Sequence, residues 1–163
     1  MPKHLSEYGL HHVGYVVKDL EVTLSQLEKS LGPLERQIYD FKPSKAWCYG
    51  KPAENYQLKI AMVTLGSGTA IEVIQPVSEG MHMDAAISQG GIHHVCFAVT
   101  GDYGQWRRHF LEMGFGLVFE SETEDEEIGY RRCFYAEDQA GNIVEVKETP
   151  YFRTEEEKRE GSC

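Results

Sequence analysis

The chain has 163 residues, of which 41% are hydrophobic and 26% are charged, and its formal net charge is −10. This composition is typical of a globular protein, and the negative charge disfavours a nucleic-acid partner. No apolar run approaches the roughly 18 residues of a membrane helix, and the N-terminal residues lack the apolar stretch of a secretory signal, so we expect neither a membrane span nor secretion.

The first half of the chain predicts a strand, a helix and then further strands. Asp19 is a candidate N-cap, because the leucines after it recur at helical spacing until Gly32 and Pro33 end the helix. Interspersed aromatic, proline and glycine residues then indicate an irregular strand with a long loop. The predicted elements are a strand over residues 10–17, a helix over 20–31, the irregular segment 38–55, and strands over 58–65 and 69–75.

The second half repeats this order after a linker with a short helix, residues 77–90. Its helix should turn Trp106, Phe110 and Met113 inward, because these apolar residues lie three to four positions apart. The predicted elements are a strand over residues 92–99, a helix over about 103–113, and strands near 116–121, 129–136 and 142–148. Residues 150–163 form an acidic tail that we expect to be solvated.

Two pairs of similar motifs indicate an internal duplication. Gly9-Leu10-His11-His12-Val13 is answered by Gly91-Ile92-His93-His94-Val95, and Ala70-Ile71-Glu72-Val73-Ile74 by Ile143-Val144-Glu145-Val146-Lys147. Self-similarity of this kind points to repeated structural units. We therefore predict two βαβββ modules, residues 9–76 and 91–149, each of which opens with a histidine-bearing strand and closes with a glutamate-bearing one.

Strand alternation separates the two histidines of each pair. His12 and His94 share faces with small residues and should point into a concave space, whereas His11 and His93 should lie on the opposite, bulkier face.

The carboxylates Glu72 and Glu145 stand among β-branched residues, where a buried charge needs a strong partner. A lone histidine or glutamate is usually structural, but the duplicated placement favours one divalent metal ion. The mixed N and O donors suit Zn, Ni, Co, Mn or Fe. The predicted ligands are His12, Glu72, His94 and Glu145.

These features resemble the vicinal oxygen chelate superfamily, over about residues 9–149. The resemblance is strongest to its methylmalonyl-CoA epimerase and glyoxalase branch, through the stretches at His11–Asp19, Leu58–Ala61 and Ile71–Pro76 and the second His-His-Val. It implies an α+β fold in which two βαβββ modules form a cup-shaped, partly closed mixed sheet around a metal site. It also assigns the four residues above to the four metal positions.

Two residues depart from the epimerase pattern. Glu72 stands where epimerases commonly have glutamine and glyoxalases have glutamate. Lys59 aligns with a strand position where bacterial epimerases tend to carry a carboxylate base. Its assignment to the site requires it to point inward with Ala61 and Val63, and the alternative is an edge-strand lysine in water. We also expect the segment 39–56, which includes Trp47 and Lys51, to form a wall of the substrate cavity.

The resemblance implies a metal-dependent isomerase, epimerase or lyase that moves a proton next to a chelated carbonyl group. Glu145 would carry the proton, and Lys59 would serve a second proton position or an anionic group of the substrate. One alternative is an Fe(II) extradiol-type dioxygenase, for which Glu72 is a surplus ligand. The other is a metal-free binding protein of the bleomycin-resistance type, although such proteins generally lack these ligands.

The expected partner is a small molecule with adjacent oxygens, of the acyl-CoA thioester or thiol hemiacetal class, bound by a homodimer. Four cysteines without paired spacing indicate reduced thiols and a cytoplasmic location. They are Cys48, Cys96, Cys133 and Cys163.

Overall fold

The computed structural model describes residues 4–161, which form one ten-stranded mixed sheet with helices on its faces. The strands are β1 Leu10–Val16, β2 Arg36–Phe41, β3 Lys45–Cys48, β4 Lys51–Pro52, β5 Leu58–Thr64, β6 Ala70–Pro76, β7 Gly91–Val99, β8 Gly116–Asp125, β9 Gly129–Glu137 and β10 Ile143–Glu148. The helices are α1 Leu20–Leu31, α2 Met81–Ser88, α3 Tyr103–Glu112 and α4 Glu155–Glu160, and a 3-10 helix spans Leu5–Tyr8. The predicted α+β fold with a curled mixed sheet is confirmed.

The strand order is β2-β5-β6-β1-β7-β10-β9-β8-β3-β4. Each half of the chain contributes four adjacent strands, and β3 and β4 of the first half lie at the edge beyond β8. The first and last strands of each half, β1 with β6 and β7 with β10, pair in parallel. The two halves join at the centre of the sheet, where β1 pairs antiparallel with β7. The two glutamate-bearing strands therefore flank the two histidine-bearing strands within a single chain.

Helices α1 and α3 cover one face of the sheet. The Asp19 side chain accepts a hydrogen bond from the Val22 N–H and caps α1, as predicted. The buried leucines of α1 pack on β5 and β6, and Trp106 and Phe110 of α3 pack against β9 and β10. Met113 was predicted to face inward, and this is wrong: α3 ends one residue earlier, and Met113 is 49% exposed.

Helix α2 covers part of the opposite face. Its Met81 and Ala86 join the core cluster that contains Leu58, Ile60 and Phe119. Because α1 and α3 occupy the other face, this arrangement gives the sheet an inner side with its own core and room for a site.

The segment predicted as an irregular strand and long loop is more ordered than expected. It forms β2, β3 and β4, and β3 pairs antiparallel with β8, a strand of the other half. Sequence periodicity could not reveal this pairing, because it depends on partners about 75 residues away.

The acidic tail forms α4, which is exposed and begins with a capping box at Thr154. Before it, the backbone of Tyr151 pairs with that of Tyr130. Within residues 4–161 no helix is long and apolar enough to cross a membrane. Of the four cysteines, Cys48, Cys96 and Cys133 are free, and Cys163 lies outside the described residues.

Candidate metal centre

Four buried polar side chains meet on the inner face, one from each of four adjacent strands near the middle of the sheet. Their relative exposure is between 1% and 8%, and one ligand atom of each lies within 4.8 Å of the others. The residues are His12 on β1, Glu72 on β6, His94 on β7 and Glu145 on β10. The structure thus brings together the four residues that the sequence proposes as metal ligands.

The distances between these atoms suit convergence on one ion. His12 Nε2 lies 3.0 Å from Glu145 Oε1 and 3.5 Å from Glu72 Oε1. His94 Nε2 lies 3.2 and 3.9 Å from the same two oxygens. Ligand atoms about 2.1 Å from a metal, at tetrahedral or octahedral angles, are about 3.0–3.4 Å apart. The donor set of two imidazoles and two carboxylates therefore fits a divalent cation.

One ring nitrogen of the cluster has no hydrogen-bond partner. His94 Nε2 is buried, and its 3.2 Å approach to Glu145 Oε1 does not have hydrogen-bond geometry. A buried polar atom without a partner is uncommon in a native fold and suggests a ligand. Its position among two carboxylates makes a metal ion the chemically appropriate one.

The electrostatics of the cluster depend on close pairing of opposite charges. Burial raises the pKa of Glu72 despite the nearby histidines. Burial acts in the same direction at Glu145, but the hydrogen bond with His12 and the adjacent His94 outweigh it and hold the pKa well below its usual range. At His12 burial disfavours the charged form, yet the two carboxylates prevail and raise the pKa. A divalent cation would neutralise the charge of both carboxylates, so that they would not have to share protons with the histidines.

Gly14 leaves the space that the His94 ring occupies. It pairs with both Glu72 and His94, in the middle of the cluster. A Cβ atom at this position would lie 2.2 Å from Cε1 and Nε2 of His94, far inside van der Waals contact. The site therefore requires a glycine at position 14.

Two β-bulges change the roles of the neighbouring histidines. In the β1–β7 ladder His11 is the extra residue of one bulge and His93 that of the other. Bulges can redirect side chains, and here His11 Nδ1 lies 2.8 Å from His12 Nδ1, while His93 Nδ1 lies 2.9 Å from His94 Nδ1. The expectation that His11 and His93 stand apart on the opposite face is therefore wrong.

These contacts suit rings that bind a metal ion through Nε2. Burial lowers the pKa of both His11 and His93 to about 4, so both rings are neutral. With Nε2 of His12 and His94 bound to a metal ion, their Nδ1–H groups would donate to the preceding histidines. A hydrogen bond of this kind orients a ligating imidazole.

A second group of possible ligands does not suit a metal as well. His11, His12 and Cys96 also lie close together, but the Nδ1 atoms of the two histidines are directed at each other. Burial raises the pKa of the Cys96 thiol well above its usual value, so it does not offer a thiolate.

The four residues lie at or beside a cavity of about 90 Å³. Its walls are mixed in polarity and come from both halves of the chain. Besides His12, Glu72 and Glu145, the lining residues are Tyr39, Phe41, Leu58, Ile60, Ile74, Phe119, Ser121, Thr123, Arg131, Arg132, Cys133, Tyr135, Lys147 and Glu148.

The structure does not bring Lys59 to this cavity, so its expected inward orientation is corrected. Leu58 and Ile60 of β5 line the cavity, and alternation places Lys59 on the other face with Ala61 and Val63, which pack against α1. Its cross-strand neighbour Gln75 accepts a hydrogen bond from the first N–H of α1, which confirms that this face is the helical one. Strand β5 therefore presents only apolar side chains to the cavity.

The segment 39–56 contributes less to the cavity than expected. Tyr39 and Phe41 line it, but Trp47 and Lys51 do not, because β3 and β4 extend the outer edge of the sheet next to β8.

Sequence reasoning missed a buried aromatic network behind His94. The Tyr135 ring centroid lies 4.6 Å from that of His94, and the Tyr135 hydroxyl lies 3.1 Å from Nε2 of the fully buried His82. His82 Nδ1 lies 2.6 Å from the Tyr56 hydroxyl. Alternation in β9 could have placed Tyr135 on the inner face, but the position of His82 depends on how α2 docks.

Comparisons with known proteins agree with this architecture. The family model described as the glyoxalase/bleomycin resistance protein/dioxygenase superfamily matches residues 11–134. A hypothetical protein from Bacillus halodurans C-125 superposes with a TM-score of 0.62 at 18% identity, covering 89% of this chain and 96% of that chain. Methylmalonyl-CoA epimerase from Mycobacterium tuberculosis gives 0.60 at 21%, covering 93% of each chain.

Streptomyces coelicolor methylmalonyl-CoA epimerase, in complex with 2-nitronate-propionyl-CoA, gives a TM-score of 0.55 at 17% identity, covering 87% of this chain and 97% of that chain. Similarity at these identities establishes the shared fold. No curated protein sequence matches the chain.

Proposed function

Because the chain belongs to the glyoxalase/bleomycin resistance protein/dioxygenase superfamily, we propose that it is a divalent-metal-dependent enzyme that moves a proton next to a carbonyl group. The reaction class is an isomerisation, epimerisation or lyase reaction. The observation that carries the proposal is the convergence of two imidazoles and two carboxylates beside a cavity. The predicted cofactor is one Zn, Ni, Co, Mn or Fe ion held by His12, Glu72, His94 and Glu145.

A bound divalent ion would polarise the carbonyl oxygen and stabilise the negative charge that develops when the neighbouring carbon loses its proton. His12 and His94 would hold it through Nε2, with their rings oriented by His11 and His93. Glu145 is the proposed proton carrier, because its carboxylate lines the cavity beside the ring nitrogens that would hold the ion.

The apolar inner face of β5 bears on the reaction type. With Leu58 and Ile60 in the cavity and Lys59 on the helical face, β5 offers no second proton carrier. The absence of a second proton carrier on β5 favours a mechanism in which one carboxylate both removes and returns the proton. It disfavours an epimerisation that uses two residues on opposite sides of the carbon. Lys59 has no part in the proposed mechanism.

The small cavity constrains the substrate. A volume of about 90 Å³ is below the 300–1,000 Å³ of sites that enclose a whole drug-sized ligand. An acyl-CoA thioester, the substrate class of the similar epimerases, or a thiol hemiacetal would place only its reacting end inside. A homodimer and a cytoplasmic location remain predictions.

Both alternative functions agree less well with these residues. An extradiol-type dioxygenase needs two histidines and one carboxylate, whereas Glu72 converges on the cluster as a fourth donor. A metal-free binding protein would have to bury two neighbouring carboxylates whose ion-pair partners in the described part of the chain are histidines, which carry a charge only when protonated.

The test is proton exchange in deuterated water without oxygen. Metal-loaded protein is offered 2-methylacyl-CoA thioesters and thiol hemiacetals of 2-oxoaldehydes, and proton NMR follows the signal of the α-hydrogen. We expect exchange or isomerisation that is lost in Glu145→Gln with the metal still bound. Turnover of a catechol only after oxygen is admitted would establish the dioxygenase instead.

A further inference from the structure

Two cationic side chains point into the cavity without a partner. Arg131 on β9 and Lys147 on β10 both line it. In the described part of the chain neither forms an ion pair or a hydrogen bond, and Arg131 Nη1 is buried without an acceptor. A buried guanidinium N–H without an acceptor is unfavourable, so a ligand that supplies one is expected.

Arg132, the next residue along β9, has hydrogen-bond partners within the protein. Arg132 forms two hydrogen bonds to Glu148, at 2.9 and 2.7 Å, and its guanidinium stacks 4.4 Å from the ring centroid of Tyr103. Both carboxylate oxygens of Glu148 therefore bind Arg132, and Glu148 forms no hydrogen bond with Arg131. Asp125 accepts the N–H groups of Glu127 and Ile128 through Oδ1. The charge of Arg131 contributes to the lowered pKa of Asp125, but the two side chains form no ion pair.

Arg131 and Lys147 can reach the same ligand group. Lys147 pairs directly with Cys133, and Arg131 stands two residues from Cys133 on the same face of β9. Such diagonal neighbours are about 7–8 Å apart at Cα, within the combined reach of these long side chains. On the same two strands lie Tyr135 and Glu145, so the pair of cations is directly adjacent to the metal cluster.

Charge balance gives the sign of the missing group. With a divalent cation bound, Glu72 and Glu145 together would match its charge, and Arg131 and Lys147 would remain as positive side chains at the cavity without an ion pair. The protein as a whole carries a net charge of −10, so this positive site differs in sign from its surroundings.

We propose that Arg131 and Lys147 form an anion site that binds a carboxylate of the substrate other than the oxygens that chelate the metal. The inference rests on the proposed function and narrows its substrate to acids whose second carboxylate lies a few bonds from the chelating pair. The planar arginine fork suits a carboxylate or a phosphate, and the small cavity favours the carboxylate.

The test compares two ligands that chelate alike and differ in one distal charge. Calorimetry measures the binding of 2-oxoglutarate and of its 5-methyl ester, which keeps the 2-oxo acid group but lacks the distal charge, to manganese-loaded protein. We expect the acid to bind at least about 10-fold more tightly, the effect of a charge-assisted hydrogen bond. In Arg131→Gln/Lys147→Gln the preference should fall to within about 3-fold, and Arg131→Lys, which keeps the charge, should retain most of it.

The matched control is Arg108→Gln/Lys51→Gln, which removes an exposed arginine and an exposed lysine and should leave the preference unchanged. No preference in the unaltered protein, or an equal preference in Arg131→Gln/Lys147→Gln, would overturn the proposal.

Metal-free protein separates this proposal from the proposed function. Glutarate should bind to it weakly, and this binding should disappear in Arg131→Gln/Lys147→Gln. If the protein holds no metal but glutarate behaves in this way, the anion site stands and the metal-dependent function fails. Inorganic phosphate that binds more than about 10-fold more tightly than glutarate would overturn the assignment to a carboxylate.

Discussion

Nδ1 of His11 lies 2.8 Å from Nδ1 of His12, although the two residues are consecutive in a strand. Regular alternation would turn their side chains to opposite faces. A bulge at His11 allows the contact, and the bulge at His93 repeats it in the second half of the chain, at 2.9 Å. The duplication therefore includes both the proposed ligand histidine of each half and the preceding histidine that contacts its Nδ1.

His11→Ala and His93→Ala should each weaken metal binding about 10–100-fold, the usual effect of losing the hydrogen-bond partner of a ligating histidine. At saturation each variant should still bind one ion per chain, because all four ligands remain. Titration against a competing chelator measures the affinity. His109→Ala, which replaces an exposed histidine, is the control, and an unchanged affinity in His11→Ala would show that the contact has no orienting role.

Replacement of a proposed ligand should have a larger effect. His12→Ala, Glu72→Ala, His94→Ala and Glu145→Ala should each lower metal affinity more than about 100-fold, because each removes a donor outright. Elemental analysis of the purified variants measures the stoichiometry. If metal content stayed near one per chain after any two of these replacements, the ligand assignment would be wrong.

Gly14→Ala should disrupt the metal centre although it replaces none of the proposed ligands. The added methyl group would lie 2.2 Å from the His94 ring, so the ring must leave its position. We expect a loss of metal affinity of at least about 10-fold, measured by the same chelator competition. Gly104→Ala is the matched control, because Gly104 lies in α3 with open space around it, and unimpaired metal binding in Gly14→Ala would contradict the packing argument.

The buried His82 should make the metal-free protein sensitive to acid. Burial lowers the pKa of His82 well below its ordinary value of 6.5, so the unfolded chain binds a proton that the folded chain excludes. The stabilising effect of keeping His82 neutral is present above pH 6.5 and is lost as the pH falls below it. From this residue we expect a loss of about 1.4 kcal/mol in the free energy of unfolding between pH 8 and pH 5.5.

Comparison with His82→Gln isolates this contribution. Urea unfolding in the presence of a chelator gives the free energy at each pH. The destabilisation caused by His82→Gln should be smaller at pH 5.5 than at pH 8, because only the unaltered protein carries the proton penalty. A difference that does not change with pH would show that His82 has the same pKa in the folded and unfolded chains, which would contradict the prediction.

Much of the fold could be predicted from the sequence, because its signals are local and occur twice. The alternation around His12 and His94 and the cap at Asp19 depend on residues a few positions apart, and so does the leucine spacing of α1. The duplication then pointed to equivalent strands, which made the grouping of His12, Glu72, His94 and Glu145 foreseeable.

The features that only the tertiary structure decided depend on the register of the strands and on the packing of helices against the sheet. The bulges at His11 and His93 come from how β1 and β7 fit each other, and a shift of one residue reverses the face to which a side chain points. The orientation of Lys59 also depended on the tertiary structure. The packing of distant elements decides whether its side of β5 meets α1 or the cavity. The unpaired state of Arg131 likewise became visible only once its neighbours were known, because hydrogen-bond satisfaction is a property of the assembled fold.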